Sequence, residues 1–178
     1  MPRLPAALAI LAALLPATAA AEDRPCRDQP VPPLVEGRAF AVDGDTLAIA
    51  GAPRIRLWGI QAPELRAART GGETLPGMAA RAALADLLDL GAAGAVRCRP
   101  SKWDRWCRLV ASCDVADDEG RATDLGAALL QAGMAYGFML DDTRGRRADD
   151  AGMAAAYADL ESRARKARAG LWRDWLPH

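Results

Sequence analysis

Three short alternating runs, separated by two tight turns, fill residues 34–60 and restrict the fold more than any other feature. Residues 34–42 and 45–50 read as strands joined at Asp43-Gly44, a common hairpin pair. Gly51-Ala52-Pro53 makes the next turn. Residues 54–60 follow as a third strand, with Ile55 and Leu57 alternating against Arg54 and Arg56. The first half of the domain is therefore expected to be a three-stranded meander.

The rest of the chain supplies partners for it. A helix is expected over 77–90, with Leu84, Leu87 and Leu88 on one face and Gly91 at its end. A second hairpin covers about 94–115, turning through the charged and aromatic stretch SKWDRW. Asp117-Asp118-Glu119-Gly120 is an acidic turn. Thr123 or Asp124 then caps a short helix through Ala132, and Gly133 stops it. A long amphipathic helix is expected over 148–169, with Met153, Tyr157 and Leu160 inward, and Gly170-Leu171-Trp172 closes the domain. Three strands, a helix, two strands and two helices is the order of an α+β protein: a five-stranded OB-fold barrel with three helices.

The first twenty-odd residues do not belong to that domain. MPRLPAALAILAALLPATAA carries one early base, Arg3, then an apolar run from Leu4 to Leu15. Small residues follow, with Ala19 and Ala21 in a cleavage pattern. This reads as a secretory signal peptide over 1–21. The apolar run is short for a membrane span, and Pro5 and Pro16 flank it. Residues 22–34 read as an extended, Pro-rich leader, and 35–178 as the folded domain. The expected location is periplasmic or secreted, without membrane attachment after cleavage. Removing 1–21 leaves 22 bases against 23 acids, a charge of −1. No basic field advertises nucleic acid, so any phosphate binding must rest on a few placed arginines.

Export makes the four cysteines candidates for disulfides. Cys98 and Cys113 sit on the two arms of the second hairpin and are expected to face each other. Cys26 is then left with Cys107. A zinc site is disfavoured: there is no C-x-x-C, and the only histidine is His178.

That single terminal histidine also argues against a histidine base or a Ser-His-Asp triad, and no Gly-rich phosphate loop is present. What remains is carboxylates and arginines, a combination suited to phosphodiester hydrolysis with a hard metal ion. Attack on phosphorus builds negative charge on the equatorial oxygens, which a cation and guanidinium groups stabilise. A carboxylate beside the attacked face orients or deprotonates water. Asp45 is the candidate metal ligand and Glu64 the candidate base. Arg56, between them, is the candidate phosphate grip. Singly, each has a plain alternative: a turn acid, a loop cap, a surface strand residue.

Taken together, D-G-D-T, then R-I-R-L-W-G-I-Q-A-P-E, then D-R-W-C-R resemble the staphylococcal nuclease family, over roughly residues 36–172. The resemblance implies an OB-fold endonuclease that depends on calcium, cutting single-stranded or loosened DNA and RNA; a monomer is expected. Asp45 falls on its metal-binding aspartate. Arg56 falls on its first phosphate-binding arginine, Arg108 on its second catalytic arginine, and Glu64 on the glutamate that works through a water. Arg105 and Trp106 fall on a basic and an aromatic position lining the nucleotide pocket, where a ring could stack a base.

Two positions depart from the pattern. Gln61 stands where the family has a second metal-binding aspartate, which is expected to leave calcium weakly held, since affinity rises with the number of charged ligands. Cys107 stands where the family has glycine, so a special backbone angle there would strain it. The expected function is an exported metal-dependent endonuclease, weakened by Gln61. The alternative is an OB-fold module that has lost its chemistry and binds nucleic acid or a protein partner.

Overall fold

The computed structural model describes residues 26, 28–91, 94–140 and 150–175. The expected signal segment, the start of the leader and His178 lie outside the described residues.

The meander forms as β1 (Val35–Ala41), β2 (Thr46–Ile49) and β3 (Ile55–Leu57). β1 pairs antiparallel with β2, Ala39 opposite Ile49, and β2 pairs antiparallel with β3, Thr46 opposite Arg56. Here the expectation of one strand over 54–60 fails. Gly59 takes a φ of 73°, and a Cβ there would meet Leu140 and Tyr157 side-chain atoms at 3.1 Å. Glycine permits that left-handed turn, and it ends β3 after three residues. The chain resumes as β4 (Ile60–Gln61), which pairs instead with β8 (Tyr136–Gly137).

The second hairpin is β5 (Ala95–Trp103) and β6 (Leu109–Ala116), extended by β7 (Ala122–Asp124). β1 pairs with β5 on one side, and β3 pairs parallel with β6 on the other, Arg56 opposite Val110. That last pairing closes β1, β2, β3, β6 and β5 into a barrel, which leaves β3 with a hydrogen-bonded neighbour on each side. The barrel holds Leu47, Ile55, Leu109 and Val115, all essentially inaccessible to water. Cys98 and Cys113 face each other across β5 and β6 and are joined, as are Cys26 and Cys107.

Four helices complete the described structure: α1 (Leu75–Asp89), α2 (Leu125–Gln131), α3 (Asp150–Lys166) and the short α4 (Trp172–Trp175). α1 starts two residues earlier than its leucine pattern suggests. Thr74 caps it, accepting from the Gly77 amide at 3.0 Å, and Pro76 fits the first turn because no amide partner is needed there. Its inner face carries Ala80, Leu84 and Leu88. Ala80 lies so close to Gly44 that a Cβ at Gly44 would stand 2.6 Å from the Cβ atoms of both Ala80 and Ala62. The glycine of D-G-D is thus required by packing as well as by the turn.

Asp124 is the cap of α2, and it also holds α3. Its Oδ1 accepts from the Ala127 amide at 2.7 Å and from the Tyr157 hydroxyl at 2.6 Å. Tyr157 in turn packs its ring 5.7 Å from that of Trp58. One carboxylate therefore fixes both helices against the barrel. Asp124→Ala should lower the unfolding free energy by about 2 kcal/mol, roughly one for the cap and one for the buried hydroxyl. Asp124→Asn should recover most of it. Urea denaturation monitored by tryptophan fluorescence measures both.

Candidate active site

β3 differs from an ordinary half-buried strand. Ile55, Arg56 and Leu57 are all buried, so alternation puts an arginine where water is excluded. It tolerates this because both terminal nitrogens of its guanidinium have partners. Nη1 donates to the Leu57 carbonyl at 2.8 Å, and Nη2 donates to Gln61 Oε1 at 2.9 Å and meets Asp45 Oδ2 at 3.1 Å.

Asp45 is equally enclosed, at 5% exposure. Its Oδ2 also accepts from the Ala62 amide at 2.8 Å, and its Oδ1 accepts from the Thr46 hydroxyl at 3.2 Å. Asp43 sets the turn by accepting from the Asp45 amide at 3.0 Å. Burial pushes the Asp45 carboxyl up to about 6, against the opposing pull of the Arg56 charge. Burial likewise lowers Arg56, with Asp45 opposing. Each ion loses hydration, and the pairing offsets part of that loss.

Arg108 arrives from the turn between β5 and β6. Asp104 organises this turn: its Oδ1 accepts from the amides of Trp106 and Arg108 at 2.8 and 2.9 Å, and its Oδ2 accepts from Arg108 Nε at 2.6 Å. Arg108 Nη1 then donates to the Thr46 hydroxyl at 3.3 Å. Because that hydroxyl accepts from a cation, its own proton points at Asp45. Glu64 lies past β4, exposed to solvent, with its carbonyl held by the Thr74 hydroxyl at 2.6 Å. Gln61 Nε2 donates to Glu64 Oε1 at 3.4 Å and to the Ala62 carbonyl at 3.2 Å.

Asp45, Arg56, Glu64 and Arg108 therefore line one cleft of about 470 Å³, linked by an unbroken run of hydrogen bonds. A neighbouring cleft of about 710 Å³ shares Arg56, Trp106 and Arg108 with it and continues over Trp58, Trp103 and Met139. Trp106 stands at the rim, 62% exposed, with the Arg105 guanidinium 3.9 Å and that of Arg108 5.0 Å from its ring centre.

Three contributors were not picked out from sequence. Thr46 was legible only as the last letter of D-G-D-T. Asp104 was visible as the first letter of D-R-W-C-R. Tyr136 pairs with Gln61 across β4 and β8, and burial followed by the charges of Asp45 and Glu64 raises its phenol.

The donor set does not fit a hard cation as it stands. Calcium needs six to eight oxygens with carboxylates among them. Asp45 Oδ2 accepts from both Arg56 and the Ala62 amide, while Asp45 Oδ1 and Gln61 Oε1 each accept one protein donor and keep one lone pair. The acids lining the cleft, Asp43, Asp45 and Glu64, are matched by Arg54, Arg56 and Arg108. Among the described residues no group of three His, Cys, Asp or Glu side chains converges as a metal centre.

Cys107, one residue before Arg108, adopts a φ of 60°, in the left-handed region where a side chain is strained. Its bridge to Cys26 brings the leader against this turn, and the Trp103 indole donates to the Gln29 carbonyl at 3.1 Å beside it.

Residues 54–174 match the family model described as staphylococcal nuclease homologue. No curated protein matches the chain.

The backbone angle at Cys107 has a measurable cost. Two disulfide-free variants, Cys26→Ser/Cys107→Ser and Cys26→Ser/Cys107→Gly, should differ by about 1 kcal/mol in urea unfolding, glycine being the more stable. Equal stabilities would mean that the turn relaxes once the bridge is gone.

Proposed function

The chain belongs to the staphylococcal nuclease family, and from that premise we propose that it hydrolyses phosphodiester bonds in single-stranded or loosened DNA and RNA. The observation that carries the reading is the hydrogen-bonded run joining Asp45, Arg56, Glu64 and Arg108 in one cleft. Four separate plain explanations would otherwise be needed for four residues that meet.

In this scheme the scissile phosphate lies between Arg56 and Arg108, whose guanidinium groups neutralise its equatorial oxygens as charge builds. Arg56 is fixed before substrate arrives, by Asp45 and Gln61. Arg108 is fixed by Asp104 and Thr46. Neither needs to reorganise at the moment of reaction. Glu64, the exposed carboxylate, orients a water and takes its proton. The water oxygen bonds to phosphorus, and the phosphorus–oxygen bond to the departing nucleoside breaks. The leaving oxygen takes the electron pair and is protonated by solvent. Trp106 offers its exposed face to a base flanking the phosphate. Calcium, the cofactor expected from the resemblance, has no step here, because the three acids of the cleft are matched by three arginines.

Two disulfides among the described residues, and no described helix long and apolar enough to cross a membrane, are compatible with work in an oxidising compartment outside the cytoplasm.

The test is cleavage of a fluorescent single-stranded oligonucleotide by the oxidised protein, with calcium and with chelator. Glu64→Gln should lower kcat by about 100-fold, and Arg108→Lys by a similar factor because lysine cannot span two phosphate oxygens. Oligonucleotide binding without turnover in either condition would replace this reading with that of a binding module.

A further inference from the structure

Gln61 is the residue at which this chain departs from its family inside the cleft, and its surroundings are unlike those of a cation ligand. Its amide has opposite charges at its two ends. Oε1 accepts from Arg56 at 2.9 Å, and Nε2 donates to Glu64 at 3.4 Å. An amide can do both at once; a carboxylate has no proton to offer. Aspartate or glutamate at this position would still attract Arg56, but it would have no proton to donate to Glu64.

The backbone supports the same assignment. Gln61 is held in β4 opposite Tyr136, and the next amide, Ala62, donates to Asp45. The side chain thus projects from a fixed point between the arginine and the acid. Arg56 Nη2 reaches both Asp45 Oδ2 and Gln61 Oε1, within 3.1 Å of each. A guanidinium therefore already bridges these two oxygens.

We propose that Gln61 is a positioning residue: its amide aims the Glu64 carboxylate at the attacking water while bracing Arg56, and it is not a metal ligand. The proposal rests on the nuclease reading for the reaction it serves. In this protein the positive charge facing the phosphate then comes from arginine.

The experiment compares wild type with Gln61→Glu and Gln61→Met in the oxidised full domain. It reads kcat and KM on a single-stranded oligonucleotide, melting temperature, and calcium binding by titration calorimetry. The expected result is a kcat about 10- to 100-fold lower in both variants, the cost of a misaimed catalytic group. KM should stay within about twofold, the melting temperature should fall modestly in Gln61→Met, where buried Arg56 loses an acceptor, and Gln61→Glu should gain no calcium affinity. A Gln61→Glu variant that binds calcium more tightly and cuts faster would overturn the proposal, as would an unchanged kcat in Gln61→Met. If wild type does not cut at all, the nuclease reading fails. The calcium titration then still decides the Gln61 assignment, tighter binding by Gln61→Glu refuting it and unchanged binding supporting it.

Discussion

The ion pair between Arg56 and Asp45 is the interaction on which the rest of the site depends. Neither group is stable alone at its depth: each is desolvated, and removing either would strand the other. Their coexistence requires the barrel to be closed, since Arg56 lies on β3, which is paired on both sides. It requires the Asp43-Gly44 turn to set Asp45 beside it, and β4 to return Ala62 and Gln61 as further partners. The fold and the cleft are therefore coupled through one charged contact.

The two arginines reach the cleft by different means. Arg56 is held by sheet pairing and burial. Arg108 is held by a single carboxylate, Asp104, that ties a five-residue turn to itself through both backbone and side chain. The hydroxyl of Thr46 joins the two systems. A rigid strand on one side and a self-contained turn on the other make a cleft whose walls are set independently and meet at one threonine.

Much of this was legible before any coordinates. Alternation and turn pairs located β1, β2, β5 and β6, and the facing of Cys98 and Cys113 follows from the hairpin register. The Asp124 cap and the inward Tyr157 were visible for the same reason, since capping chemistry and helical spacing are local. What escaped was decided by tertiary contact. β3 and β4 read as one strand because Trp58-Gly59 does not look like a turn until Leu140 and Tyr157 close over it. β4 and β8 are two residues each, too short for any period to show. Arg56 looked like the outward member of an alternating pair, and only the mouth of the barrel, with Asp45 and Gln61 over it, makes it buried. The amide geometry of Gln61 depends on a carboxylate three residues away and a guanidinium five residues before, a relation that no motif encodes.

The two cross-links interlace: Cys98 lies inside the span from Cys26 to Cys107, and Cys113 lies outside it. Joining thiols in the order they are synthesised would pair 26 with 98 and 107 with 113, which is the wrong topology. Correct connectivity therefore demands that the β5–β6 register form before oxidation captures the thiols, or that exchange among the cysteines repair early errors. The same arrangement means that a single backbone cut anywhere between Cys26 and Cys113 is spanned by at least one bridge, so the two pieces stay covalently joined.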